Sequence, residues 1–248
     1  MKSFTKVLTV IMLMTAILFT VGCKKDKVEN NVEEPGGGNS GGGNGTYNGH
    51  DYVDLGLPSG LLWATCNVGA DNPEDYGGYF AWGETRPKTV FSWSTYLHAN
   101  GTSWEDPQLT MYCNDSYYGY NGFTDNFTTL VPWDDAATAN WGTGWRMPTE
   151  GEFAELLNNT TVTWVTQNGA TGRLFTATNG NSLFLPAAGC RDGSDLYYAG
   201  SDGYYWSSSL GTGPTHAWLF VFGSSYYIVY GGYRVYGLSV RPVCLDQN

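Results

Sequence analysis

From about residue 47 onward, apolar and polar residues alternate over short stretches, and this period of two predicts β-strands. The stretch 52–57 alternates and then reaches turn residues at 58–60 (Pro-Ser-Gly). The apolar run 61–68 that follows is typical of a buried strand, so a hairpin is expected to open the domain. Further short strands are expected at 164–165, 174–178 and 182–185, with two or three more between 203 and 244.

Two helices are predicted in the middle of the chain. Thr149 and Glu152 have the spacing of a capping box, which marks the beginning of one helix. Three apolar residues then share one helix face and are expected to be buried: Phe153, Leu156 and Leu157. A second stretch with helical spacing, 134–141, begins at Asp134 or Asp135.

The stretch from about 85 to 129 is polar and shows neither the two-residue period of a strand nor the spacing of a helix. We expect it to be a long irregular segment that decorates the domain. Short antiparallel strands combined with two main helices predict an α+β fold.

The first 22 residues have the pattern of a secretion signal. Lys2 and Lys6 precede the apolar run 7–21, which is shorter than the roughly 20 residues of a transmembrane helix. Gly22-Cys23 then follows and resembles the lipobox of bacterial lipoproteins, although Thr20 stands where leucine is usual. The resemblance implies that Cys23 becomes the lipidated first residue, and an ordinary signal peptide is the alternative.

Residues 23–46 are first charged and then rich in glycine, serine and asparagine, a composition that predicts a flexible tether. The tether would hold the domain 47–248 clear of a membrane to which the lipid anchors it. The residues 24–26 (Lys-Lys-Asp) loosely resemble signals that carry some lipoproteins to the outer face of the outer membrane. A bacterial envelope location, on the outer membrane and exposed at the surface, is therefore expected.

The net charge and the sequence motifs argue against several classes of function. The chain has a formal net charge of −11, which argues against nucleic acid as a partner, because nucleic-acid binding needs clustered Lys and Arg. It contains no HExxH, P-loop or CxxC motif, and its histidines, His50, His98 and His216, show no catalytic spacing. We therefore predict no enzyme activity, no cofactor and no metal site. Asp192, Asp195 and Asp202 are read as turn residues rather than as cation ligands.

Six sequence blocks carry a family resemblance. In chain order they are YVDLGLPSGLLWATCNVGA, PEDYGGYFAWGET, WRMPTEGEF, LFLPAAGCRDG, GYYWSSS and GLSVRPV, within residues 47–243. Together they closely resemble the Fibrobacter succinogenes major paralogous domain family. That resemblance implies the C-type-lectin-like fold, which formylglycine-generating enzymes share, with N- and C-terminal strands adjacent.

The resemblance also implies roles for individual residues. Four cysteines remain besides Cys23, and they allow three disulfide pairings or free thiols. Adjacent terminal strands make a disulfide between Cys66 and Cys244 the favoured pairing. Arg146 and Arg241, in the WRMP and SVRP blocks, are expected to be structural.

The segment 203–244 interleaves an apolar framework with tyrosine, serine, glycine and arginine, the residues that recognition surfaces favour. Alternate strand residues face opposite sides, so Tyr226, Ile228 and Tyr230 are expected to share one face, with Tyr227 and Val229 on the other. Part of the tyrosine cluster is thus expected to pack and part to be exposed. The stretch 197–236 also resembles the variable segments of proteins diversified by retroelements. The predicted ligand-binding residues are Tyr197, Tyr198, Tyr226, Tyr227, Tyr230, Tyr233, Arg234 and Tyr236.

These features predict a cell-surface lipoprotein whose domain binds a protein or glycan of another cell, a phage or the host. A structural or adhesin-like envelope component is the alternative. An enzyme related to the formylglycine generators is less expected, because Cys190 and Cys244 lack the sequence context of a reactive cysteine.

Overall fold

The computed structural model describes residues 44–245. The predicted signal peptide, Cys23 and the tether as far as residue 43 lie outside the described residues. The described part is an α+β arrangement dominated by strands, with two helices and four sheets. In it, no helix is long and apolar enough to cross a membrane.

The elements follow one another in chain order. They are β1 (Gly45–Tyr47), β2 (His50–Asp54), β3 (Leu61–Ala64), α1 (Ala136–Trp141), α2 (Glu150–Asn159), β4 (Thr160–Gln167), β5 (Ala170–Ala177), β6 (Ser182–Pro186), β7 (Cys190–Asp192), β8 (Asp195–Tyr197), β9 (Gly203–Leu210), β10 (His216–Phe222), β11 (Tyr227–Tyr233) and β12 (Val243–Leu245).

The first sheet has the order β1-β2-β3-β12, so the ends of the domain meet. β2 and β3 form the predicted hairpin, and β12 pairs antiparallel with β3, Val243 opposite Trp63. This confirms that the N- and C-terminal strands are adjacent. Arg241 has the structural role expected of it. Its side chain is fully buried and donates hydrogen bonds to Asn67 and to the carbonyls of Ala64 and Thr65.

The expected disulfide between Cys66 and Cys244 is wrong. Cys244 lies opposite Leu62, whereas Cys66 lies beyond the end of β3. At roughly 3.3 Å per residue the offset is about 13 Å, more than the ~7 Å between Cα atoms that a disulfide spans. The described part of the chain accordingly contains no bond between them. Strand adjacency brought the two segments together, but register kept the two thiols apart.

Both helices begin where their caps predict. Asp135 accepts hydrogen bonds from the N–H groups of Ala137 and Thr138 at the start of α1. Thr149 and Glu152 form the reciprocal capping box of α2. Arg146 lies just before α2, and its guanidinium nitrogens Nη1 and Nη2 donate to the Glu152 carboxylate at 2.7 and 2.5 Å. Arg146 therefore has the structural role expected of it.

The main core lies where α2 and the sheets β4-β5-β6 and β11-β10-β9 meet. Phe153 of α2 and Phe175 of β5 both lie against Phe220 of β10, with ring centroids 5.3 and 6.0 Å apart. A smaller core under residues 79–118 includes Phe91, Trp93 and Leu109. Among the described residues, the buried members of both cores lie between 53 and 243.

The stretch 85–129 is irregular, as predicted. Among its residues only Trp93–Thr95 and Tyr120–Gly122 form short 3₁₀ turns. Backbone hydrogen bonds such as those between Leu109 and Tyr118 tie it to itself. Through Leu130, which donates to the Ser208 carbonyl, the end of the segment is attached to β9.

Candidate binding surface

The sheet β9-β10-β11 separates the predicted binding residues into two sets, because alternate residues face opposite sides. Phe220 pairs with Tyr205 and Val229, and these three face the main core. Val221 pairs with Tyr204 and Ile228, which therefore face away from it. This confirms the prediction that Tyr226, Ile228 and Tyr230 share one face and that Tyr227 and Val229 share the other.

Six tyrosines gather on and beside the face that points away from the core, and we call them the tyrosine surface. The hairpin β7-β8 brings Tyr197 and Tyr198 to this face, where the ring of Tyr198 lies 6.2 Å from that of Tyr204. Electrostatic interactions link the remaining hydroxyls in pairs. The members are Tyr197, Tyr198, Tyr204, Tyr226, Tyr230 and Tyr236.

A glycine in the β10-β11 turn lets Tyr226 reach across this surface. A Cβ at Gly223 would lie 2.6 Å from the Tyr226 ring and 2.9 Å from the Asp202 carboxylate. Without that Cβ, the Tyr226 hydroxyl donates a hydrogen bond to Asp202. The absence of a side chain at Gly223 therefore lets the Tyr226 ring take this orientation within the tyrosine surface.

Burial raises the pKa of the phenols of this surface above its ordinary value, which already lies well above neutral pH. It raises the pKa of Tyr230 to about 12. Burial, followed by the hydrogen bond to Asp202, raises the pKa of Tyr226 further above its ordinary value. For Tyr236, burial and then the nearby Asp192 act in the same direction. At neutral pH the surface therefore presents neutral hydroxyls beside two carboxylates.

An aromatic cluster borders the tyrosine surface at the end of β11. Tyr233 lies 4.8 Å from Trp104, 4.3 Å from His216 and 5.9 Å from Tyr236, measured between ring centroids. Trp104 is 44% exposed. Trp104 was not among the predicted binding residues, because it lies in the irregular segment, where no periodicity indicates which strand a side chain will meet.

Tyr227 lies apart from the tyrosine surface, on the side of β11 that faces the core. It is 47% exposed, and its ring lies 5.4 Å from the guanidinium carbon of Arg173. Arg173 is held by the Gly223 carbonyl through Nε and Nη2 at 3.0 and 2.7 Å, and it also lies over the Trp164 ring. Arg173 was not among the predicted binding residues, because its position in β5 gives no sign of this contact.

The assignment of Arg234 to the binding surface is wrong. Its side chain is fully buried, with its guanidinium carbon 5.4 Å from the Trp82 ring and 5.6 Å from the Tyr96 ring. Nη1 donates to the carbonyls of Met111 and Tyr112. Arg234 therefore attaches the irregular segment to the end of β11, and burial lowers its pKa. Its neighbours come from that segment, so the local sequence does not reveal them.

A buried polar network lies under the irregular segment. Tyr112 donates from its hydroxyl to Asp134 at 2.7 Å, and His98 Nε2 lies 2.9 Å from the Gly83 carbonyl and 3.9 Å from Asp134. The sequence had suggested no pairing of a histidine with an aspartate. Burial lowers the pKa of His98, so its ring is neutral at pH 7. With all of these groups buried, the network connects loops rather than meeting solvent.

The other side chains that could support catalysis or metal binding are either buried or too far apart to act together. Burial raises the pKa of the Cys190 thiol to about 12, so it is not a thiolate at neutral pH. In residues 44–245, no three side chains of His, Cys, Asp or Glu form a group able to hold a metal ion. A cleft of about 520 Å³ lies between α2 and β5, remote in the fold from the tyrosines, with lining that includes Asn158, Thr161 and Thr176.

Part of this region is similar to a known family model. Residues 164–243 match the family model of a domain of unknown function, DUF8237. No curated protein and no solved structure matches the chain. The matched stretch runs from β4 to β12 and includes the whole tyrosine surface, so this surface lies inside a unit that recurs in other proteins.

Proposed function

We propose that this protein is a surface-anchored envelope lipoprotein whose domain binds an external partner through the tyrosine surface. The observation that supports this best is the separation of roles within one sheet. Tyr205 and Phe220 are fully buried on the core face, whereas Tyr230 is only half-buried on the opposite face, and the core holds the strands that carry these residues rigid. Tyrosine supplies a large contact area at low entropic cost, and a rigid support keeps that cost low.

The partner is a protein or a glycan, and no cofactor takes part. Phenol rings stack on apolar or sugar faces, and their hydroxyls donate to polar groups. Asp192 and Asp202 beside the rings accept hydrogen bonds from a partner's donors. A surface of neutral hydroxyls with flanking carboxylates suits a partner that is rich in hydroxyl or basic groups.

The test is a glycan-array and cell-surface pull-down screen with the soluble domain. Replacing Tyr198 and Tyr230 together with alanine should abolish retention while the thermal unfolding curve stays near that of the wild type. Tyr117, which is 72% exposed and lies outside the surface, supplies the matched control Tyr117→Ala. Equal retention by the double variant and the control would contradict the proposal.

We further propose that the domain has the C-type-lectin-like fold. The adjacent terminal strands, the two central helices and the short antiparallel sheets are consistent with it. A crystal structure of the domain, superposed on C-type-lectin-like domains, tests this directly. A different strand order around β3 and β12 would contradict it.

The anchor follows from the N-terminal sequence. We propose that Cys23 carries the lipid and that the domain is displayed outward. Metabolic labelling with a fatty acid should mark the wild-type protein but not Cys23→Ala. Protease treatment of intact cells should then remove the domain, and protection of the domain would contradict outward display.

Diversification of the stretch 197–236 is a separate proposal. Its supporting observation is that the exposed or half-buried tyrosines alternate with framework residues such as Trp206 and Phe220, both fully buried. Arg234 does not belong to the variable set, because it is buried. The neighbouring DNA should contain a reverse transcriptase gene and an adenine-rich near-copy of this segment, and absence of both would overturn the proposal.

A further inference from the structure

One side of the β11 backbone faces no other strand. β11 is the edge strand of its sheet, and the hydrogen bond from the Arg234 N–H to the Thr215 carbonyl fixes which residues face β10. With that pattern, the N–H and C=O groups of Tyr227, Val229 and Gly231 point away from β10. Within residues 44–245 these groups make no hydrogen bond. Such an edge is a template for another strand.

Gly231 is a glycine that the fold of a single copy does not require. A Cβ there would meet only the His216 Cβ, at the ordinary contact distance of 3.8 Å. The neighbouring Gly232 differs, because a Cβ at that position would lie 2.4 Å from Leu219. Glycine weakens the interior of a strand and often marks a place where another molecule approaches closely. The space beside Gly231 is therefore left open by the fold of a single copy.

We propose that a second copy of the chain occupies this edge, with the two β11 strands antiparallel about a two-fold axis at Val229. In this register Tyr227 lies across the partner's Gly231, and Ile228 lies across the partner's Tyr230. An aromatic ring beside a cross-strand glycine covers the backbone that the glycine exposes. Two hydrogen bonds at each of three facing pairs give about six across the interface.

The composition of the strand favours a copy of itself over an unrelated peptide. The sequence 226–232, YYIVYGG, has its bulky side chains at one end and its glycines at the other, so antiparallel self-pairing matches large to small. Tyr227 and Ile228 are 47% and 50% exposed and would be covered. No residue of the strand is charged, so pairing brings no like charges into contact despite the acidic chain.

This pairing has a consequence for binding. The two-fold axis of an antiparallel strand pair runs through the sheet, so equivalent faces of the two copies lie on the same side. The two tyrosine surfaces would then face the same direction on one continuous sheet. A partner that carries repeated epitopes would be bound at two points, which increases avidity without any new contact.

Sedimentation equilibrium of the fragment 44–248, which contains both cores, tests the pairing. We expect a concentration-dependent dimer for the wild type and only a monomer for Gly231→Val, whose side chain fills the space that Tyr227 needs. Because β-branched residues suit strands, the melting temperature of Gly231→Val should be unchanged or higher. Thr163→Val, on the exposed part of edge strand β4, is the control and should leave the dimer intact.

A swapped variant makes the test specific for the register. Tyr227→Gly combined with Gly231→Tyr restores a tyrosine–glycine pair across the same axis, so it should dimerise again where Gly231→Tyr alone does not. A wild-type monomer at all concentrations overturns the proposal. So does a dimer that Gly231→Val leaves unchanged, or one that the swapped variant fails to recover while remaining folded. None of these results depends on whether the tyrosine surface binds a ligand.

Discussion

The two faces of the sheet β9-β10-β11 use the same residue type for different purposes. Tyr205, on the core face, is fully buried, and its hydroxyl donates to the Pro186 carbonyl at 2.7 Å. Tyr230, on the opposite face, is only partly buried and has polar groups of other tyrosines around it. A tyrosine therefore belongs to the framework when the fold satisfies its hydroxyl and encloses its ring. The ring of Tyr230, by contrast, remains partly open to solvent on the tyrosine surface.

Truncating a side chain on the core face should give the largest difference in stability between the two faces. Phe220→Ala removes a ring that contacts Phe153 and Phe175 and should lower the free energy of unfolding by about 4 kcal/mol. Ile228→Ala, on the opposite face of the same sheet, should cost less than about 1 kcal/mol, because half of its side chain is exposed. Urea denaturation of both variants measures the difference. Equal losses would mean that the two faces do not differ as described.

Arg234 tests where the framework ends and the contact surface begins. Arg234→Ala leaves the carbonyls of Met111 and Tyr112 without their donor and opens a cavity between Trp82 and Tyr96. We expect a loss of about 3 kcal/mol in the free energy of unfolding. Tyr233→Phe is the neighbouring control and should change stability little. Loss of ligand binding by Arg234→Ala at unchanged stability would restore the sequence-based assignment.

The outcome at Arg234 shows what the sequence was able to predict. Alternation and capping are local, so they identified the strands β4 to β6, the capping box at Thr149 and the two faces of β11. The environment of Arg234 depends on Met111 and Tyr112, which are more than a hundred residues away and lie in a segment without periodicity. The charge of Arg234 and the tyrosine-rich sequence around it therefore favoured a position on the surface, whereas the fold buries its side chain.

Contacts between distant segments also explain which features of the tyrosine surface and of the cysteines the sequence did not predict. Strand parity predicted that Tyr226 and Tyr230 share a face, but Trp104 joins the surface from the irregular segment, and no local pattern signals that contact. Adjacent terminal strands were expected and are present. The register that separates Cys66 from Cys244 depends on backbone pairing between distant segments, which the spacing of cysteines does not determine.

Removing a single tyrosine hydroxyl should produce a smaller difference in the free energy of unfolding between the two faces. Tyr205→Phe leaves the buried Pro186 carbonyl without its donor and should lower the free energy of unfolding by about 1–2 kcal/mol. Tyr230→Phe should have an effect below about 0.5 kcal/mol on stability and should instead weaken ligand binding. Chemical denaturation combined with the binding screen separates these outcomes. A stability loss at Tyr230 equal to that at Tyr205 would assign Tyr230 to the framework.

The smallest expected effect is a pH dependence at His216, beside the tyrosine surface. Burial, and then the charge of Arg234, lowers the pKa of His216. The unfolded chain titrates near pH 6.5, so below that pH it takes up a proton that the folded ring resists. The free energy of unfolding should therefore fall as the pH falls from about 7 toward 5.

The variant His216→Phe keeps a ring against Tyr233, at 4.3 Å in the native protein, but cannot be protonated. It should show a shallower decline in stability over the same pH range and similar stability at pH 7. His98, whose pKa burial also lowers, accounts for part of the decline that remains. If His216 lay on a loosely packed, solvated surface, it would titrate as in the unfolded chain. Identical pH profiles for the wild type and His216→Phe would then be observed, and the end of β11 would have to be regarded as open to water rather than as a packed border.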